Sequence, residues 1–271
     1  MTQHSATPAP YRTGWLSNDA PHEHDRLKSI QHSVDAFTIK VLQDLPLDAS
    51  SNCLELGAGA GSIAYWLAER CPQGRVVAVD LDTQHLDPHH ATNLEIQEAD
   101  VTSTDYAPGT FDLIHARYLF CHLPQRDEVL ARAMGWLAPG GWLIIEEPYH
   151  LPAETSPSPL VQRILAAYQR TYRDNGADMT WARTLPTQLA HDGLSEVSFT
   201  GNLGHMGGGP TKDRWLPLIT QATPAMLATG LITQADLTEF TTLLKDPTFI
   251  DIPQVTIAAW GQRPEETPNT H

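Results

Sequence analysis

The chain has 271 residues, and 41% of them are hydrophobic, so one large domain can bury a core without disulfides or a structural metal. Its 32 acidic and 17 basic residues give a net charge of −15, which disfavours nucleic acid and anionic membranes as partners. The three cysteines, an odd number, and the lack of a leader-like or membrane-length apolar run favour a cytoplasmic protein.

The first predicted elements follow a segment rich in Pro, Ser, Thr and His, residues 1–25, which we expect to be a flexible flap. Apolar residues three or four apart predict a helix over about 24–45. A buried strand over 52–56 runs into a glycine-rich turn, and helical spacing resumes over 62–71. Further strands are predicted over 75–80, 94–99, 111–115 and 142–146, with a helix over 125–137. This alternation is typical of an α/β fold with a doubly wound, mostly parallel sheet.

The pattern changes after residue 147. Helices are predicted over 158–173, 180–191, 213–229 and 234–244, and strands over 195–202 and 254–261. The complete sheet then has seven strands, of which the last is antiparallel. We expect one domain over residues 26–271, with helical cover insertions at about 152–192 and 205–250 above the carboxyl edge of the sheet.

The residues with the clearest chemistry form the turn after the first strand. Gly57, Gly59 and Gly61 alternate between a predicted strand and a helix, so backbone can approach a ligand where a Cβ would collide. Ser62 stands where the dinucleotide fingerprint requires a third glycine, which weakens a pyrophosphate interpretation. The turn therefore predicts a binding site for another kind of nucleotide-like ligand.

Three acids at or near successive strand ends narrow the ligand further. Glu55 would repel a pyrophosphate but attract an ammonium or sulfonium cation. Asp80 can accept hydrogen bonds from two ribose hydroxyls, with Leu81 beside it to cover an adenine face. Asp100 can accept from an adenine amino group, next to the backbone of Val101. Together they predict a nucleoside with a cationic amino-acid side arm.

These motifs, with the strand Phe111-Asp112-Leu113-Ile114, resemble the class I S-adenosylmethionine-dependent methyltransferases over about residues 50–150. His115-Ala116-Arg117, Leu123-Pro124, Pro139-Gly140-Gly141-Trp142 and Glu146-Glu147-Pro148 resemble small-molecule methyltransferases of bacterial specialised metabolism. The resemblance implies S-adenosylmethionine as cofactor, with the methionine amine held by Ala116 and Arg117 backbone and the carboxylate by Arg26. The predicted cofactor residues are Arg26, Glu55, Gly57, Ala58, Gly59, Gly61, Asp80, Leu81, Asp100, Val101, Ala116 and Arg117.

The methyl acceptor should bind beyond the fourth and fifth strands, because methyl transfer mainly requires alignment and exclusion of water. His122 is the candidate general base, since 118 and 122 share a helical face and imidazole titrates near working pH. A packed or capping histidine is the competing interpretation. His85, His89 and His90 fit a solvated loop better than a metal site, so no metal is predicted. The predicted acceptor-site residues are Tyr11, Trp15, Tyr118, Cys121, Glu147, Tyr149 and His150.

The sequence thus predicts methyl transfer to carbon, nitrogen or oxygen of a small-molecule natural product, such as an aromatic alkaloid or a polyketide. Two other functions stay open. A cyclase or isomerase would keep the cofactor only for architecture or electrostatics, and a binding protein would sense the nucleoside. A homodimer is also expected, because the N-terminal segment and exposed apolar helices offer an interface.

Overall fold

The computed structural model describes residues 15–17, 19–208 and 212–265. The helices are α1 Glu23–Gln43, α2 Ser62–Arg70, α3 Arg126–Trp136, α4 Pro159–Asp174, α5 Leu185–His191, α6 Lys212–Ala228 and α7 Gln234–Leu243. The strands are β1 Cys53–Leu56, β2 Val76–Asp80, β3 Leu94–Glu98, β4 Phe111–Arg117, β5 Leu137–His150, β6 Ser195–Met206 and β7 Asp251–Gln262. No helix in these ranges is both long and apolar enough to cross a membrane.

The strands form a single seven-stranded sheet in the order β3-β2-β1-β4-β5-β7-β6. Strands β1 to β5 pair in parallel, while β7 pairs antiparallel with both β5 and β6. The predicted α/β fold class is confirmed. In this register Leu56, the last residue of β1, pairs with Val79 on one side and Ala116 on the other. The carboxyl ends of β1, β2 and β4 therefore meet at one edge of the sheet.

The central strands of the sheet are buried on both faces, because successive residues point to opposite sides and helices cover each side. Leu54 and Leu56 of β1 belong to the cluster packed against α3 and α5. Cys53 belongs to the cluster on the other face, packed against α1 and α2. A third cluster joins α4, α6 and α7 above the carboxyl edge of the sheet, and it includes Trp215 and Phe240.

The connections 81–93 and 99–110, both fully described, contain turns and no helix. Two features differ from the sequence expectation. The predicted helix over 180–191 is split into a 3-10 turn at Trp181–Arg183 and α5. Leu185 and Leu189 of α5 pack on the sheet rather than in the cover. The helical cover therefore consists of α4, α6 and α7.

Candidate functional site

The glycine turn after β1 is held by backbone hydrogen bonds to β2. Gly57 and Ala58 both donate their N–H groups to the Val79 carbonyl, at 2.8 and 3.0 Å. Gly57 and Gly59 have φ values of +72° and +56°, a region that favours glycine. Next, the Gly59 N–H donates to Asp80 Oδ2 at 2.7 Å. The turn and the end of β2 are therefore one preorganised unit.

Gly61 serves packing rather than ligand approach. It is the N-cap of α2, with φ of +86°. A Cβ at this position would lie 2.5 Å from Cζ of Tyr65 and 2.8 Å from Cδ2 of Leu86. Gly61 does not line the cavity described below, whereas Gly57, Ala58 and Gly59 do. The third glycine of the motif thus lets Tyr65 close over the start of the helix.

The three predicted acids line one cavity of about 1080 Å³. Burial raises the pKa of Asp80, opposed by the N–H groups of Gly59, Asp82 and Leu81. Asp100 Oδ1 accepts from both the N–H and the hydroxyl of Thr102, at 2.9 and 2.6 Å. The predicted neighbours Leu81 and Val101 also line the cavity. The structure therefore brings together the acids that the sequence places at or beyond different strand ends.

Glu55 is 3% exposed and has a charged-group partner that the sequence did not reveal. Its Oε2 lies 2.7 Å from Nδ1 of His115, the residue opposite it on β4. Burial disfavours the charged imidazolium, but the carboxylates of Glu55 and Glu146 outweigh this and raise the pKa of His115. The Glu55 carboxylate at the cavity is thus already partly compensated from within the protein.

The two predicted cofactor arginines both line the cavity and both have carboxylate partners. Arg117 donates to Asp35 Oδ1 of α1 at 2.8 Å and to the Thr38 hydroxyl at 2.8 Å. Arg26 pairs with Glu23 one turn earlier in α1, at 2.5 Å. The Arg117–Asp35 pair fixes α1 against the end of β4, whereas the Arg26–Glu23 pair lies within α1. Ala116, by contrast, is fully buried in the core and does not line the cavity.

The cavity continues from the glycine turn to α4 and α6. It is lined there by two predicted acceptor-site residues, Tyr118 and His150, and by the candidate base His122. Tyr118 has φ of +56° and is followed by a 3-10 turn at Phe120–His122, so 118 and 122 do not share an α-helical face. Burial, and then the charge of Arg26, lowers the pKa of His122 to about 3. His122 is therefore a neutral imidazole throughout the physiological range, and it does not titrate near working pH.

The other predicted acceptor residues lie elsewhere. On β5, Pro148 and His150 line the cavity, so the strand's alternation directs Glu147 and Tyr149 to the opposite face. Glu147 is fully buried and accepts backbone N–H bonds behind the turn after β4. Cys121 is buried in the cover cluster. Trp15 packs edge-on against Tyr172, with ring centres 5.0 Å apart, and Tyr11 lies outside the described residues.

Several cavity residues were missed by the sequence reasoning: Tyr168, Tyr172, Met179, Arg214, Leu218 and Gln254. Most of them lie on α4 and α6, whose apolar spacing predicts only that one face is covered. No local motif distinguishes a cavity-facing tyrosine from a core tyrosine. In the described part of the chain, no group of three or more His, Cys, Asp or Glu is arranged to hold a metal ion.

Comparison with known proteins agrees with this geometry. Residues 54–145, from β1 into β5, match the family described as the methyltransferase domain. This part of the chain is thus similar to methyltransferase domains. Its glycine turn, Asp80, Asp100 and Arg117 all fall within the matched range, whereas the cover helices α4, α6 and α7 lie outside it.

Several named methyltransferases are similar in sequence to this chain. The methyltransferase str3 of Strobilurus tenacellus is 30% identical over 180 residues, which are 65% of this chain and 65% of that protein. The trans-aconitate 2-methyltransferase of Azoarcus sp. is 31% identical over 134 residues, 47% of this chain and 53% of that protein. The matches thus span less than two thirds of these relatives.

Solved structures share the fold of the methyltransferase domain. Phosphoethanolamine N-methyltransferase 2 of Haemonchus contortus, in complex with S-adenosyl-L-methionine, superposes with a TM-score of 0.63 at 14% identity. That alignment covers 98% of this chain and 62% of that one. The [4+2]-cyclase SpnF gives a TM-score of 0.56 at 16% identity, covering 87% of this chain and 82% of that one. The architecture is therefore that of the class I methyltransferases.

Proposed function

We propose that this protein binds S-adenosylmethionine and transfers its methyl group to a carbon, nitrogen or oxygen atom of a small-molecule natural product. One observation carries the proposal: the glycine turn and the acids Glu55, Asp80 and Asp100 all line the same cavity, which continues between α4 and α6. The methyltransferase domain match and the similarity to named methyltransferases support it.

The residues present fit the cofactor chemically. Asp80 holds the Gly59 N–H and still lines the cavity, so its carboxylate can accept from the ribose hydroxyls. Asp100 lines the same cavity, and its carboxylate can accept from the adenine amino group. Glu55 can offer a negative charge to the methionine ammonium and the sulfonium. Gly59 has φ of +56°, a conformation that residues with a Cβ rarely adopt.

When bound, the cofactor supplies an electrophilic methyl group on a positively charged sulfur. The protein's own contribution is to align the acceptor and keep water out. The aromatic side chains Tyr168 and Tyr172, both buried, wall the far part of the cavity, and their hydroxyls are 2.9 Å apart. The late helical cover therefore suits a flat or apolar acceptor.

His122 keeps its proposed place as the group that receives the acceptor's proton. With a pKa of about 3 its imidazole is neutral and able to accept, but it is a weak base. A weak base is sufficient if the acceptor atom becomes more acidic as its new bond forms. We therefore expect His122→Gln to lower kcat. The plot of kcat against pH for the wild type should show no transition near pH 6.5, because His122 does not titrate there.

The cyclase alternative is favoured by one observation, the shared fold with SpnF. The two functions differ in where a labelled methyl group ends. A methyltransferase moves the label from the cofactor into a metabolite, which gains one methyl group in mass. A cyclase leaves the label on the cofactor and produces an isomer of unchanged mass.

The first experiment is isothermal titration with S-adenosylmethionine. We expect saturable binding that Asp80→Ala weakens by about 30-fold or more, because each hydrogen bond to a charged group contributes roughly 1.5–3 kcal/mol. Asp44→Ala is the matched control. Asp44 is exposed just after α1, and its substitution removes the same charge as Asp80→Ala. Absent binding, or equal binding by the two variants, contradicts the proposed cofactor site.

Location and partners belong to the same proposal. Cys53, Cys71 and Cys121 are all buried free thiols, which supports a reducing, cytoplasmic setting. The net charge of −15 supports a small-molecule acceptor over nucleic acid. The homodimer remains a prediction, as does the division into a flap at 1–25 and a domain at 26–271.

A further inference from the structure

The far part of the cavity contains a buried arginine that forms no ion pair with any residue whose side chain the structure describes. Arg214, on α6, is 4% exposed and lines the cavity. Its Nη2 donates to the Tyr118 hydroxyl at 3.1 Å, and its guanidinium carbon lies 5.8 Å from the centre of that ring. Among the described residues Arg214 forms no ion pair, and its Nε has no hydrogen-bond partner. This guanidinium thus has unused donors.

The other buried arginines of the cavity differ in this respect. Arg26 has Glu23 at 2.5 Å, and Arg117 has Asp35 at 2.8 Å. Arginine cannot lose its proton inside a protein, so Arg214 stays charged when buried. An unpaired buried ion costs several kcal/mol, and such a cost is offset when an anion of the ligand completes the pair. The arrangement therefore favours an acceptor with a negative group.

The surroundings of Arg214 hold it in place. The Tyr118 hydroxyl lies 2.5 Å from the Thr256 hydroxyl and 3.5 Å from Nε2 of Gln254, which is itself buried and lines the cavity. Tyr118 adopts φ of +56°, an uncommon conformation outside glycine that concentrates at functional sites. Tyr118 directly follows β4, and Gln254 and Thr256 belong to β7, so residues from both sides of β5 fix the ring against which the guanidinium lies.

Among the described residues, Arg214 is the buried arginine of this cavity that no carboxylate neutralises. Burial, and then the charge of Arg214, lowers the pKa of His150 to about 3, so this neighbouring imidazole adds no second cation. Arg26 is neutralised by Glu23. A carboxylate brings one negative charge and two oxygens that match a guanidinium edge, whereas a phosphate dianion would leave one negative charge unpaired.

We propose that Arg214 binds a carboxylate of the methyl acceptor, so that the substrate is a monocarboxylate on an apolar or aromatic frame. This inference rests on the proposed methyl transfer and deepens it. Buried Tyr168 and Leu218 line the same part of the cavity and receive the frame. Arg214 is thereby a specificity residue for the acceptor, separate from the glycine turn and its acids.

The test uses the full chain and three small probes: benzoate, its uncharged analogue benzamide, and phenyl phosphate. Binding is measured by calorimetry with and without saturating S-adenosylhomocysteine. We expect benzoate to bind about tenfold or more tighter than benzamide, because a charge-assisted pair is made with only one of them. Arg214→Gln reduces that ratio to about twofold or less, and Arg214→Lys retains part of it.

Arg163→Gln is the matched control, since Arg163 is an exposed arginine of α4 that pairs with Asp236, and neither residue lines the cavity. It leaves the ratio unchanged. Equal binding of benzoate and benzamide by the wild type overturns the inference, as does a ratio that survives Arg214→Gln. Tighter binding of phenyl phosphate than of benzoate overturns the carboxylate assignment.

The cofactor titration separates this inference from the proposed function. If the wild type does not bind S-adenosylhomocysteine, the methyltransferase proposal is contradicted. The ratio of benzoate to benzamide affinity, measured without cofactor, still tests the role of Arg214. Should Arg214→Gln fail to fold, the wild-type ratio and its value in Arg214→Lys remain decisive. If Arg214→Lys has the same ratio of benzoate to benzamide affinity as the wild type, and binds benzamide as tightly as the wild type does, a site specific for the guanidinium is contradicted.

Discussion

Glu147 gives the sharpest prediction about stability, because it is a fully buried carboxyl group with unequal surroundings for its two oxygens. Its Oε1 accepts the N–H groups of Leu119 and Phe120, at 3.0 and 2.6 Å. Its Oε2 has no hydrogen-bond partner among the described residues. Burial raises the pKa of Glu147 to about 7, although the Cys121 thiol and the backbone N–H groups oppose the rise.

The perturbation is Glu147→Gln, which keeps a carbonyl oxygen for the two N–H groups and cannot ionise. In the unfolded chain the carboxyl group titrates near 4.5, well below its folded value of about 7. Its contribution to stability is therefore fully present below pH 4.5 and is lost as the pH rises to about 7. A pKa difference of this size corresponds to about 3 kcal/mol of unfolding free energy.

Urea unfolding of wild type and variant at about pH 5 and about pH 8 measures the effect. The unfolding free energy of Glu147→Gln, relative to the wild type, should increase by about 3 kcal/mol between the two pH values. Glu128→Gln, an exposed position on α3, is the control and should show no such change. A difference between Glu147→Gln and wild type that does not depend on pH would refute the reasoning.

Two further predictions follow from buried positions. His150 has a pKa of about 3 in the folded protein and 6.5 in the unfolded chain, so the unfolding free energy of the wild type decreases as the pH drops below 6.5. In His150→Gln, thermal unfolding should show a decrease that is smaller by up to about 5 kcal/mol. Gly61→Ala places a Cβ 2.5 Å from Tyr65 and should lower the urea-derived unfolding free energy by more than about 2 kcal/mol. Gly109→Ala is its control, since Gly109 has φ of +73° with nothing near its Cβ; equal losses in both would contradict the clash.

Much of the fold was predictable because its signals are local. The helix predicted over 24–45 is observed as Glu23–Gln43, and the strand, glycine turn and helix from 52 to 71 differ from the structure by about one residue at each end. Apolar spacing and turn residues report directly on short-range backbone preferences. The seven strands were all identified for the same reason.

Errors arose where long-range pairing changes a local preference. The strand predicted over 142–146 extends over Leu137–His150, because pairing with β4 and β7 extends it through Pro139-Gly140-Gly141. The helix predicted over 180–191 begins only at Leu185, with Pro186 in its first turn. The longer strand cannot be obtained from local propensity, since the neighbouring strands supply the hydrogen bonds. The helix start, by contrast, has a local signal in Pro186.

For the site, the glycine turn and the acids Glu55, Asp80 and Asp100 are predictable from the sequence, because parallel strands necessarily bring their carboxyl ends to one edge. Which β5 residues face the cavity depends on how the chain packs, since alternation fixes two faces but not which one is inside. The packing also places Arg214 opposite Tyr118, 96 positions apart in the chain. Such a pair carries no local signal, because it depends on how α6 crosses the sheet.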